Sequence, residues 1–181
     1  MFLVIDTLGG IAGGGGAAQP SSILLSDLQG SKTTGNDSSG KACTPSSPCF
    51  QVFPDNGSVT LGVVSKDVTS TAGPTTTNNQ VTINRIHVHY RLANGGGVQG
   101  VDVPLDFDTF ATATVPASGT ATIGFELVRV QAKESAPLIG VLAGGGVLSV
   151  VADITFFGKD QVGNDISVMG SVQIQFADWA G

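Results

Sequence analysis

Two histidines, His87 and His89, lie two residues apart in the segment VTINRIHVHYRL, residues 81–92. Positions i and i+2 of a β-strand share a face, and two neighbouring imidazoles can chelate Zn²⁺ or Cu²⁺. Asp102, Asp106 or Asp108, in the VDVPLDFD that follows, could supply a third ligand. Arg85 and Arg91 flank the histidines on the same face. Two fixed cations beside a dication cost electrostatic energy. The expectation is therefore a solvated polar face in which Arg and His oppose Asp, with no metal. Oxygen-rich sets such as Asp102, Asp106 and Asp108, or Asp160, Asn164 and Asp165, suit Ca²⁺ chemically. Neither has the spacing of an EF-hand loop, and turn and surface roles account for both.

Nucleophilic and cofactor chemistry find little support. The chain has no G-x-S-x-G elbow. Its glycine runs lack the strand–GxGxxG–helix setting of a dinucleotide site. A non-catalytic protein without a cofactor is expected. The two cysteines, Cys43 and Cys49, sit in CTPSSPC. Five Pro- and Ser-rich residues between them suit a small disulfide loop, and no second pair completes a zinc site. Two free buried thiols are the alternative. A disulfide implies an oxidising compartment: periplasm, cell surface or outside the cell. Asn36-Asp37-Ser38 and Asn56-Gly57-Ser58 match the N-glycosylation acceptor pattern, both in expected exposed loops.

The elements that must position these residues are strands. Charged residues make up only 12% and glycines number 26, while Val and Thr are frequent, so little helix is expected. A net charge of −6 argues against a nucleic-acid partner, which needs a basic face. Ile86, Val88, Tyr90 and Leu92 alternate with the Arg/His set, whereas Val81 and Ile83 fall in the opposite phase. The flip at Asn84–Arg85 predicts a β-bulge. Val101, Val103, Leu105 and Phe107 alternate with Asp102, Pro104, Asp106 and Asp108, which predicts a second strand that pairs with the first as a hairpin or pairs elsewhere. Pro104 makes that strand an edge or a bulged one.

Further strands are expected at residues 49–53, 58–64, 110–115 and 120–127, with Pro54-Asp55-Asn56-Gly57 as a turn between the first two. Residues 147–157 read as a strand buried on both faces, and 166–176 as a half-buried one. Residues 21–28 suit a short strand or a helical turn, and 137–142 suit either a strand or a short helix. Glu126, Arg129, Lys133 and Glu134 form a small charged cluster, and Trp179 reads as a core plug. Roughly eight to ten strands with regularly spaced turns predict an all-β, antiparallel, Ig-like β-sandwich.

Residues 1–20 form an apolar segment with a Gly-rich tether ahead of a sandwich spanning 21–181. Phe2, Leu3, Val4 and Ile5 are too few to span a membrane, and no basic region precedes them. The apolar run, Leu8-Gly9-Gly10 and then Gly13–Gly16 resemble the junction of bacterial lipoproteins, in which a lipidated Cys precedes a Gly/Ser tether. Ile11 stands where that Cys would be. Residues 81–179, with GVDVPLDFD and GKDQVGND…FADW, are similar in style to uncharacterised secreted bacterial envelope proteins. The resemblance covers about half the chain and implies a location, an envelope tether and a fold class, not an activity. The resulting expectation is a cell-surface structural protein that self-associates, with Phe2–Ile5 adding as a strand to a neighbour's sheet. A monomeric, envelope-tethered Ig-like binding module is the alternative from another class. A metal-binding surface protein using His87 and His89 is the third.

Overall fold

The structure is a computed structural model that describes residues 2–11, 23–64 and 79–178. In chain order its elements are β1 (Phe2–Ile11), β2 (Ile23–Asp27), β3 (Gly30–Lys32), β4 (Cys49–Gln51), β5 (Asp55–Val64), β6 (Val81–Leu92), β7 (Phe107–Thr109), β8 (Ala113–Val115), β9 (Thr120–Val128), α1 (Val130–Lys133), α2 (Leu138–Gly144), β10 (Leu148–Asp160) and β11 (Asp165–Ala177). One sheet has the order β1-β5-β9. The other runs β2-β11-β10-β6-β7, and β8 pairs with the same edge of β6 as a separate short strand. A third ribbon, β3-β4, stands apart. The protein is an all-β sandwich, and the Trp179 and tether expectations lie outside the described residues.

The two sheets close over alternating apolar side chains. Ile86, Val88 and Tyr90 of β6 are fully buried, as are Val150, Ala152, Ile154 and Phe156 of β10. Phe125 of β9 meets Phe156 edge-on, with ring centroids 5.5 Å apart. The Tyr90 hydroxyl crosses to the other sheet and donates to the Leu127 carbonyl at 2.5 Å. The phase flip in β6 is a bulge: Arg85 pairs with Phe157 and Ile83 with Gly158, which leaves Asn84 as the extra residue. Val81 and Ile83 are thereby returned to the core. Burial of β11 follows its alternation through Val172, Ile174 and Phe176.

Several expectations are corrected. The second sheet is mixed rather than antiparallel throughout, because β2 runs parallel to β11. Alternation over residues 101–108 does not make a strand of that length. Val101 and Leu105 are exposed while Val103 is buried, and the Val101 and Asp102 amides turn back to the Val98 carbonyl. Pairing with β6 begins only at Phe107, after Pro104, which has no amide to donate. Likewise β8 spans only Ala113–Val115, and Phe110 points into water. Pro54-Asp55-Asn56-Gly57 is no turn: Asp55 opens β5, the middle strand of its sheet. Gly57 is required there by its neighbour, since a Cβ would lie 2.3 Å from the Phe125 ring. β10 is buried on one face and half-buried on the other. Residues 137–142 resolve as a helix, α2, anchored by the buried Leu138.

Candidate functional site

The seat of β1 is built from both sheets. Its backbone pairs antiparallel with β5, from Phe2↔Val64 to Ile11↔Asn56, with an irregularity between Ile5 and Thr7. Gly9 and Gly10, expected to begin the tether, continue the strand opposite Ser58 and Gly57. Leu3 reaches the core, and Ile5 and Leu8 pack against it. Beneath them Gly170 of β11 leaves the space: a Cβ there would sit 2.7 Å from both Ile5 Cδ1 and Leu8 Cδ2. Thus Phe2, Leu3, Val4 and Ile5 complete a sheet of their own chain. β1 is an edge strand, and the first part of its outward face is apolar, before the exposed Asp6 and Thr7: Phe2 is 54% exposed beside Val64 at 41%, with Val4 at 37%. An exposed apolar edge is a template for further strand pairing.

The charged face expected on β6 is present. His89 Nδ1 lies 2.8 Å from Asp106 Oδ2, and His87 Nδ1 lies 3.2 Å from Asp108 Oδ1. Arg85 Nη1 is 3.5 Å from Asp108 Oδ1 and stacks its guanidinium 4.0 Å over the Phe157 ring. Arg91 pairs elsewhere, donating from Nε to Asp153 Oδ2 of β10 at 2.8 Å. The Ser171 hydroxyl donates to the other Asp153 oxygen at 2.5 Å. Burial pushes the Asp153 carboxyl upward, but the bonds from Arg91 and Ser171 outweigh it and leave the group below its ordinary value. Asp102 does not join the histidines: its carboxylate accepts the Val98 amide at 2.9 Å inside a turn. Among the described residues no three His, Cys, Asp or Glu side chains are grouped to hold a metal ion. Asp160 accepts the Val162 and Asn164 amides and the Asn164 side chain, while Asp165 meets Lys159 at 2.8 Å, so these residues serve a turn.

A third group was not foreseen. Lys133, read from the sequence as part of a surface charge cluster, is buried at the end of α1. Its Nζ lies 3.0 Å from Asp55 Oδ2, with side chains 1% and 0% exposed, and donates to the Asp27 carbonyl at 2.7 Å. The Ser26 hydroxyl donates to the same Asp55 oxygen. This knot joins β2, β5 and α1 across the two sheets. Tyr90 nearby is fully buried, and burial first, with the Asp55 carboxylate second, raises its phenol well above the ordinary range. Other members of the cluster do stay at the surface, with Arg129 Nε 3.3 Å from Glu126.

Cys43 and Cys49 form a disulfide with Cα atoms 5.2 Å apart. The bridge closes a loop beside the β3-β4 ribbon, of which Cys49 is a member. Asn36 is exposed next to this loop. Asn56 is also exposed but sits in strand β5, paired with Glu126 on one side and Ile11 on the other, and not in a loop. Among the described residues no helix is long and apolar enough to cross a membrane. No protein-family model, curated protein or solved structure matches the chain.

Proposed function

We propose that this protein is a non-catalytic structural component of the cell surface or extracellular space that assembles with copies of itself by exchanging β1. The observation that carries this reading is the seat of β1. The strand is held by one edge pairing with β5 and by side chains laid over Gly170. It is joined to β2 by residues 12–22, a Gly-rich stretch of sequence. Exchange between copies re-forms the same hydrogen bonds and the same apolar contacts, so it costs little once the strand has left its own groove. Each acceptor is then itself a donor, and such a head-to-tail contact propagates into a filament. The disulfide supports an oxidising compartment.

The test deletes residues 1–10 and compares assembly of the truncated and full-length proteins by electron microscopy and size-exclusion chromatography. Filaments or oligomers from the full chain that vanish on deletion are the expected result. Assembly that survives the deletion overturns the role of β1. A second reading is a monomeric, envelope-tethered binding module with an Ig-like loop surface. It is favoured by β1 completing the sheet of its own chain, and a sharp monomer peak for the full-length protein selects it.

A further inference from the structure

The buried knot at Asp55 has the parts of a reaction. A primary amine and a carboxyl group lie in contact, Nζ to Oδ2 at 3.0 Å, sealed from solvent by the two sheets. Each is fixed from behind. The Asp27 carbonyl holds the Lys133 amine at 2.7 Å. Asp55 is pinned through its backbone opposite Val128, itself fully buried. Holding two reactants in such contact converts a bimolecular encounter into an intramolecular one, with effective molarities on the order of 10⁵ M or more.

We propose that Lys133 and Asp55 condense into an intramolecular isopeptide bond. A proton passes from the Lys133 ammonium to Asp55 Oδ2, which gives a neutral amine and a carboxylic acid. Removing water favours this transfer, because a buried charge pair loses its hydration and a neutral pair loses little. The Nζ lone pair attacks Cγ and forms the N–C bond. The Ser26 hydroxyl, already bonded to Oδ2, relays a second proton from nitrogen to that oxygen. The Cγ–Oδ2 bond then breaks and one water leaves. The amide keeps the third ammonium proton, so atoms and charge balance without an oxidant or an added co-reactant. The product ties β5, on which β1 is seated, covalently to α1 and so to the C-terminal half of the sandwich. The bond forms within one chain and does not depend on assembly.

Intact-mass spectrometry of the full-length protein, with its disulfide reduced, tests this. The expected mass is one water below that of the sequence, and a proteolytic digest should yield a branched peptide joining the segments that contain Asp55 and Lys133. Lys133→Met should show the full mass. Ser26→Ala should lose water more slowly, on the order of a hundredfold. If Lys133→Met does not fold, the mass and peptide map of the natural chain still decide. A folded natural chain that keeps its full mass after prolonged incubation overturns the proposal. So does a water loss that maps to any other position, such as a cyclised aspartate in a loop.

Discussion

The outer face of β6 and the knot at Asp55 both set cations against carboxylates, but water reaches only the first. Arg85 and Asp108 have side chains 44% and 43% exposed, against 1% and 0% for Lys133 and Asp55. On the face, each pair competes with hydration and is screened by salt, so it contributes roughly 0.2–1 kcal/mol. In the knot, before the amide forms, neither charge has water to return to. Its partners are fixed donors and acceptors on three elements, and the loss of any one leaves a buried charge uncompensated. The same residue types therefore make a tolerant surface in one region and an intolerant joint in the other.

The sharpest way to probe this difference is to move a charge from one side of β6 to the other. Val88 is fully buried between His87 and His89 in the chain. Val88→Asp places a carboxylate on the core side with no partner, which costs several kcal/mol, enough to unfold a domain of ordinary stability. Far-UV circular dichroism at 25 °C should show loss of the β-sheet signal. A folded Val88→Asp protein would show that this side of β6 is reached by water and would erase the contrast between the faces.

Next in size is the knot itself. Lys133→Met can form no amide and leaves the Asp55 carboxylate buried; the stranded charge alone should cost about 3–5 kcal/mol in denaturant unfolding, on top of the lost covalent tie. Adding Asp55→Leu, which removes the stranded charge but does not restore the tie, should recover the part of the loss that comes from that charge, since a buried ion pair replaced by well-packed apolar residues is often neutral. If the double variant is as unstable as the single one, packing rather than charge governs the site.

These two regions also differ in how far local pattern reveals them. The face of β6 was legible because its period-2 alternation carries the charges and the apolar residues on opposite sides, and the phase flip at Asn84 marked the bulge. The disulfide was legible from the spacing of Cys43 and Cys49. The knot was not, because Ser26, Asp55 and Lys133 are far apart in sequence and each sat in a misleading setting. Asp55 lay in a Pro-Asp-Asn-Gly run with strong turn preference, overridden by the Lys133 and Ser26 contacts and by strand pairing on both sides. Lys133 lay among surface charges, and nothing local distinguishes a lysine that will be covered by a distant strand. Residues 101–108 misled in the opposite sense: they alternate like a strand, but Gly100 just before them, at φ +75°, and Pro104 within them turn the chain. Pairing partners, such as β1 with β5 and β2 parallel to β11, depend on contacts that no single segment encodes.

The smallest effects belong to the exposed face, where Arg91 and Asp153 form its best-covered pair, side chains 38% and 17% exposed. Arg91→Ala should cost about 0.5–1 kcal/mol near neutral pH, and His87→Ala, whose partner Asp108 is shared with Arg85, less than about 0.5 kcal/mol. The pH dependence separates the two. The Asp153 carboxyl is held below its unfolded value, so more protons bind to the unfolded chain as acid is added. Its contribution is therefore fully present above the unfolded value, about pH 4, and is lost as the pH falls through the lower folded value. Arg91→Ala removes one of the bonds that hold the carboxyl down while leaving the burial that raises it. The decline in stability below about pH 4 should become shallower in Arg91→Ala and stay unchanged in His87→Ala. Thermal midpoints recorded from neutral to acid pH measure both. An acid limb that is the same in all three proteins would mean that Arg91 and Asp153 behave like the rest of the face, with water rather than the protein as their main partner.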